Sequence, residues 1–92
     1  MHFVISCIDK LGQLKLRQAT RLDHINYLTE YMDHIVAVGP TLDGDVPNGS
    51  VIIIEFDSLE AAQAFAEGDP YNKAGLFDSV SIKPWKKIFP KD

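Results

Sequence analysis

Cysteine is almost missing from this chain, with Cys7 the only one. That excludes an internal disulfide framework and a multi-cysteine zinc site, and it suits a reducing compartment. Long apolar runs are missing too. Nowhere do about eighteen consecutive apolar residues occur, and the opening MHFVISCIDK has no basic start followed by an extended apolar stretch. Neither a membrane span nor a secretion signal is expected, so the sequence predicts a soluble cytoplasmic protein with no membrane partner. Positive charge is in deficit: Lys and Arg number 9 against 13 Asp and Glu, for a net charge of −4, and Lys83, Lys86, Lys87 and Lys91 gather at the C-terminal end. No nucleic-acid partner is expected from that balance. The chain has no glycine-rich phosphate loop and no dinucleotide fingerprint. His2, His24 and His34 lack metal-ligand spacing, and Asp43 and Asp45 are too few for a calcium loop. No metal and no cofactor are predicted. At 92 residues, one domain spanning 1–92 is expected.

What is there divides into short, well-marked segments. FVISCI, Phe3 to Ile8, is apolar and rich in β-formers, and Asp9-Lys10-Leu11-Gly12 ends it. From about Leu16 to Met32 the period changes: Leu22, Ile25, Leu28 and Met32 fall on one side of a helix, opposite Asp23, Asn26, Glu30 and Asp33. His34 to Val38 reads as a second strand closed by Gly39-Pro40. DGDVPNG, Asp43 to Gly49, reads as a hairpin loop longer than two residues, followed by the strand SVIIIEF, Ser50 to Phe56. Asp57 or Ser58 can cap the helix LEAAQAFAEG, which Gly68 ends. Asp69 and Pro70 have the form of an N-cap and first helical position for one further turn to Ala74. Val80 to Ile88 is a last strand in which Pro84 marks an edge. The order βαββαβ is an α+β, ferredoxin-like pattern with an antiparallel sheet and helices on one face.

One-sided cover creates a difficulty. A sheet shielded by helices on one face alternates apolar and polar residues, yet Val51-Ile52-Ile53-Ile54 does not. Phe3 and Ile5 point one way along the first strand, and Val4 and Ile8 the other. A homodimer that packs two sheets face to face buries the second surface and creates a cleft for a small-molecule ligand. β-Propensity alone is the competing explanation.

Several residues carry chemistry. Arg17, Arg21 and His24 are spaced i, i+4, i+7 and form one stripe, with Arg21 projecting near the middle of the apolar side. Arg17 and His24 project at the border of that side, and such a stripe either pairs with acids from another element or lines a pocket for an anionic or polar ligand, unless the arginines reach past the helix to surface acids. Asp69 is accounted for as an N-cap, Tyr71 as a packing residue, and Gly39-Pro40 as a strand end that also lets a ligand approach the backbone. Cys7 is expected to be a small buried residue, with no base or helix start nearby to activate it.

The segments FVISCIDK, RQATRLDHINYL, AVGPTLD and SVIIIEFDSLEAAQAFAEGDPYNKAGLFDSVSIKPWKKIF together resemble the YciI-like (YCII-related) proteins over essentially the whole chain. The resemblance implies a ferredoxin-like fold dimerised into an α+β barrel. It also implies a site made of the helix histidine and the Asp-Pro-Tyr aspartate, here His24 and Asp69. His24 would then act as general base near neutral pH with Asp69 orienting it, and Arg17, Arg21, Gly39, Pro40 and Tyr71 would line the pocket. One branch of that family is associated with loss of HCl from chlorinated hydroxylated rings. Two functions are therefore expected: cofactor-free acid/base chemistry (proton abstraction with elimination, isomerisation or hydrolysis) on a small polar or aromatic substrate, or a non-catalytic dimer that binds a small molecule or serves as an accessory subunit through the same cleft.

Overall fold

In a computed structural model that describes residues 1–91, the chain runs β1 (His2–Asp9), α1 (Leu14–Glu30), β2 (Ile35–Asp43), β3 (Val46–Glu55), α2 (Leu59–Gly68), α3 (Pro70–Lys73) and β4 (Phe77–Trp85). The four strands form one sheet in the order β2-β3-β1-β4, with every neighbouring pair antiparallel. This is the ferredoxin-like α+β arrangement that the element order predicts. No helix among the described residues is long and apolar enough to cross a membrane.

Register decides which side chains meet the helices. Phe3, Ile5 and Cys7 of β1 stand opposite Ile54, Ile52 and Ser50 of β3, and all six are buried. All but Ser50 form the core with Leu28, Ala62, Phe65, Ala66, Tyr71, Leu76 and Phe77. Val4 and Ser6 stand opposite Ile53 and Val51 on the other face, where no helix covers them and Ile8 is 59% exposed. Asp9 continues the inward series 3, 5, 7. A register shift in β4 beside Ile8 and Asp9 pairs Asp9 with Phe77, which keeps that ring facing inward as well.

The helices start and stop for local reasons. Ser58 caps α2, its hydroxyl accepting from the Ala61 N–H at 3.2 Å. The Asp69 carboxylate accepts from the Tyr71 N–H at 2.9 Å and so caps α3, with Pro70 at its first position. Pro84 lies on β4, an edge strand that pairs with β1 alone.

Four expectations need correction. The β2 strand does not close at Gly39-Pro40 but continues through both to Asp43, and β3 begins at Val46 rather than Ser50. The hairpin loop is accordingly two residues, Gly44-Asp45, with Gly44 at φ 61°, a conformation that glycine adopts without the Cβ penalty. The last strand starts three residues earlier than expected, at Phe77, and ends at Trp85. The fourth correction concerns α1. The helix ends at Glu30, so Met32 lies beyond it; Leu22 is 71% exposed and Arg21 is exposed as well, whereas the residues that α1 buries are Arg17, His24 and Leu28. The apolar side chains do not choose the inward face here, because Asp9, Ser50 and Asp69 wait beneath it and give two charged or ionisable groups a place to pair.

Candidate active site

Four elements bring the site together. Arg17 and His24 are two turns apart on the buried side of α1, Asp9 ends β1, Ser50 lies midway along β3, and Asp69 and Tyr71 come from the start of α3. The Arg17 guanidinium donates from Nε to Asp9 Oδ2 at 2.6 Å and from Nη2 to Asp9 Oδ1 and the Ser50 hydroxyl, each at 2.9 Å. Such a fork-to-carboxylate pairing is both strong and directional. Burial alone pulls the Arg17 pKa down, but the hydrogen bond and charge of Asp9 more than offset it and hold the group above its usual range. Arg17 is therefore a fixed cation inside the fold.

His24 is paired from the other side. Its Nδ1 lies 2.9 Å from Asp69 Oδ1, the same oxygen that accepts the Tyr71 N–H. A carboxylate only accepts, so Nδ1 carries the proton and donates it to Asp69. This leaves Nε2 of the neutral ring as the nitrogen with a free lone pair. Both side chains are almost fully buried. The Asp-Pro-Tyr corner thus works twice: the cap fixes the carboxylate at a helix start, and the same carboxylate fixes the imidazole.

Tyr71 lies between the two pairs. Its ring stacks on the imidazole of His24, with centroids 4.0 Å apart and planes 21° apart, and the Arg17 Cζ lies 4.6 Å from the Tyr71 centroid. Burial pushes the phenol pKa up, opposed by Arg17 and Arg21, so the hydroxyl stays protonated. Burial, with a smaller contribution from the Asp69 charge, pushes the Cys7 thiol up to about 12. Cys7 is thus an inert buried residue, as its surroundings in the sequence suggest.

Beside this cluster is a cavity of about 220 Å³ between α1 and the β2–β3 hairpin. Arg17, Arg21, His24 and Tyr71 border it on one side, and Leu14, Ile25, Leu28, Val38, Pro40 and Pro47 supply the apolar walls. Every residue that the sequence singled out for the pocket, Arg17, Arg21, His24, Gly39, Pro40 and Tyr71, lines it. Asp69 stands behind His24 rather than in the cavity. A Cβ on Gly39 would meet nothing within 4 Å, so no neighbouring atom of the chain requires glycine there. Asp9 and Ser50 escaped the sequence reading. The pairing of Arg17 with an acid from another element is one of the two outcomes expected for the stripe, and the available signal that the acid is Asp9 was its place in the inward series 3, 5, 7, 9 of β1. Among the described residues, no three His, Cys, Asp or Glu side chains converge as metal ligands.

A model of the YCII-related domain matches residues 1–86. The chain belongs to the YCII-related family. Among its relatives is the protein YciI of Escherichia coli, 41% identical over 98 residues, an alignment that takes in 97% of this chain and all of that protein. An uncharacterised protein of Haemophilus influenzae is 34% identical over the same span. Among solved structures, a 5-chloro-2-hydroxyhydroquinone dehydrochlorinase of Burkholderia phenoliruptrix AC1100, in complex with 2,5-dihydroxybenzoquinone, superposes with a TM-score of 0.88 at 34% identity over 94% of each chain. An antibiotic biosynthesis monooxygenase superposes at 0.57 with 13% identity, which shows the shared fold alone. For a YCII-related chain, the resemblance in the Asp-Pro-Tyr segment and the family match agree.

Proposed function

We propose that this YCII-related protein is a small enzyme that works without a cofactor, with His24 as general base and Asp69 as the residue that positions it. The observation that carries the reading is the 2.9 Å bond from His24 Nδ1 to a buried carboxylate beside a cavity lined by the same histidine. Asp69 holds the ring in the tautomer that leaves Nε2 able to take a proton, and the stack on Tyr71 holds its plane. A proton moves from substrate to Nε2, and the electron pair left behind delocalises into the substrate or expels a leaving group. Elimination and isomerisation begin this way, whereas in hydrolysis His24 would take the proton from a water whose oxygen attacks the substrate and displaces the leaving group. The likeness to a dehydrochlorinase holding a dihydroxybenzoquinone favours elimination of HCl from a hydroxylated ring, and a cavity of about 220 Å³ with apolar walls accommodates one ring.

The test is release of chloride from a panel of chlorinated hydroquinones and phenols by the native chain and by His24→Gln. We expect the variant to lose at least about a hundredfold in rate, the usual lower bound for a positioned general base. Equal rates in the two proteins would remove His24 from the chemistry. A second reading, a binding module without turnover, is favoured by the burial of His24, which is only 5% exposed. It predicts saturable binding of the same rings with no chloride released.

We further propose that the uncovered sheet face joins a second copy of the chain. Val4, Val51 and Ile53 form an apolar centre there with Ile8 beside it, and Ser6, Ser79, Ser81 and the charged Lys83, the β4 partner of Val4, share the face; burying the apolar part is favourable at about 25 cal/mol per Å². Sedimentation analysis tests this: Ile53→Lys is expected to yield monomer, and an unchanged assembly would refute the chosen face.

A further inference from the structure

The hydrogen-bond pattern around the cavity leaves three polar atoms unused. Arg17 bonds through Nε and Nη2 only, His24 through Nδ1 only, and the Tyr71 hydroxyl bonds to nothing among the described residues. Yet no fully buried side-chain nitrogen or oxygen among those residues lacks a partner. Nη1 of Arg17, Nε2 of His24 and Oη of Tyr71 are therefore each open to space and not sealed in protein. All three residues line the α1–β2 cavity, while being themselves 6%, 5% and 2% exposed. A guanidinium nitrogen can only donate, and a protonated phenol donates readily. Being open to the cavity, these atoms can be met by water or by a ligand.

We propose that the Arg17 Nη1 edge and the Tyr71 hydroxyl form an oxyanion-binding pair in this cavity, selecting small ring substrates that carry one anionic oxygen, a phenolate or a carboxylate. The remaining walls fit that class. Arg21 adds a second cation at the rim, and Ile25, Val38, Pro40 and Pro47 offer apolar contact to a flat ring. The two nearby acids are turned away. Asp9 gives both oxygens to Arg17, Asp69 is bonded to His24 and the Tyr71 N–H, and neither lines the cavity. The Arg17–Asp9–Ser50 network holds the guanidinium against the Tyr71 ring, so the pair is set before a ligand arrives, which lowers the cost of binding it.

The inference rests on reading this cavity as the substrate site, and its test separates the two claims. Binding is measured by NMR titration with two pairs of probes, benzoate against benzamide and 4-nitrophenolate against 4-nitroanisole. At least one anion should bind about tenfold or more tightly than its neutral partner, the ratio a charge-assisted hydrogen bond supplies, and the pair that shows it tells carboxylate from phenolate. Tyr71→Phe, which keeps the stack, should weaken that anion about tenfold and leave the neutral probe unchanged. Arg17→Lys, which keeps the charge but loses the planar edge, should also weaken it. Absence of saturable anion binding, equal affinities within both pairs, or indifference to Tyr71→Phe would overturn the inference. Tyr71-dependent anion binding in a protein whose turnover survives His24→Gln would sink the general base and spare the oxyanion site. The reverse pattern would sink the oxyanion site alone.

Discussion

Replacing Asp69 by alanine removes two interactions at once, and their sizes can be worked from the geometry. The first is the cap on α3, a 2.9 Å bond from the Tyr71 N–H, worth about 1 kcal/mol. The second is the partner of His24 Nδ1, whose loss strands a donor in the interior at a cost of about 1–3 kcal/mol. Together they put Asp69→Ala near 3 kcal/mol. Ser58→Ala is the internal standard, because it removes a comparable cap from α2 and nothing else, and it should cost about 1 kcal/mol. Urea denaturation at neutral pH reads both values. A chain of this size has roughly 5–14 kcal/mol of stability, so both variants stay folded. The double cycle with His24→Ala should show a coupling of about 1–3 kcal/mol between residues 24 and 69. Asp69→Asn completes the set. Its amide can present an N–H to the imidazole, so ¹⁵N spectra should show the proton population moving from Nδ1 toward Nε2. If Asp69→Ala costs no more than Ser58→Ala, or the cycle shows no coupling, the bond to His24 contributes nothing, and the positioning role assigned to Asp69 fails with it.

Arg17→Met should destabilise by about 3–5 kcal/mol because it leaves the Asp9 carboxylate buried and unpaired; adding Asp9→Asn should restore a good part of that, and a double variant as unstable as Arg17→Met would show that packing, not charge, is what Arg17 supplies. The Cys7 thiol, raised from 9.0 to about 12 chiefly by burial, should resist disulfide reagents at pH 8 until the chain unfolds. Its folded pKa exceeds the unfolded one, so its contribution is constant below pH 9 and stability falls as pH rises from 9 toward 12, by at most about 1.4 kcal/mol per unit; Cys7→Ser should flatten that part of the pH profile. Gly49→Ala drives a methyl into the Cys7 carbonyl and to 2.6 Å from the Thr41 hydroxyl, where two strands leave no room; a loss of about 2 kcal/mol in urea is expected, and a neutral result would show that β2 can yield.

The parts of this molecule legible in the sequence are those fixed by local chemistry. The FVISCI strand, the Asp69-Pro70 cap and Pro84 at an edge each depend on near neighbours, and the structure has all three. The inward face of α1 depends on residues far along the chain. Leu22 and Ile25 outweigh Arg17 and His24 on any hydrophobicity scale, so periodicity centres the inward face about a fifth of a turn from the one that is buried, with Leu28 common to both. The acids of β1 and α3, 8 and 45 residues away, account for the shift. The hairpin failed for a related reason. Pro40 and Pro47 mark breaks in most strands, but β2 is an edge, and β1 pairs with β3 only from Gly49 onward, so neither proline takes a ladder bond from a central position.

The misread helix face is also the best argument that the cluster beneath it is a site. In a chain of 92 residues with a small core, an apolar stripe of Leu and Ile turned inward would bury more surface and strand no charge. The fold instead turns Arg17 and His24 inward, leaves Leu22 and Met32 in solvent, and spends Asp9, Ser50 and Asp69 on holding them. Buried ion pairs of this kind add little net stability over well-packed hydrophobic residues. Stability therefore does not explain the choice, and what the arrangement gains is a fixed imidazole, a fixed guanidinium and a phenol, all on residues that line the same cavity. Local structure that costs stability and converges on a pocket is where function is to be sought.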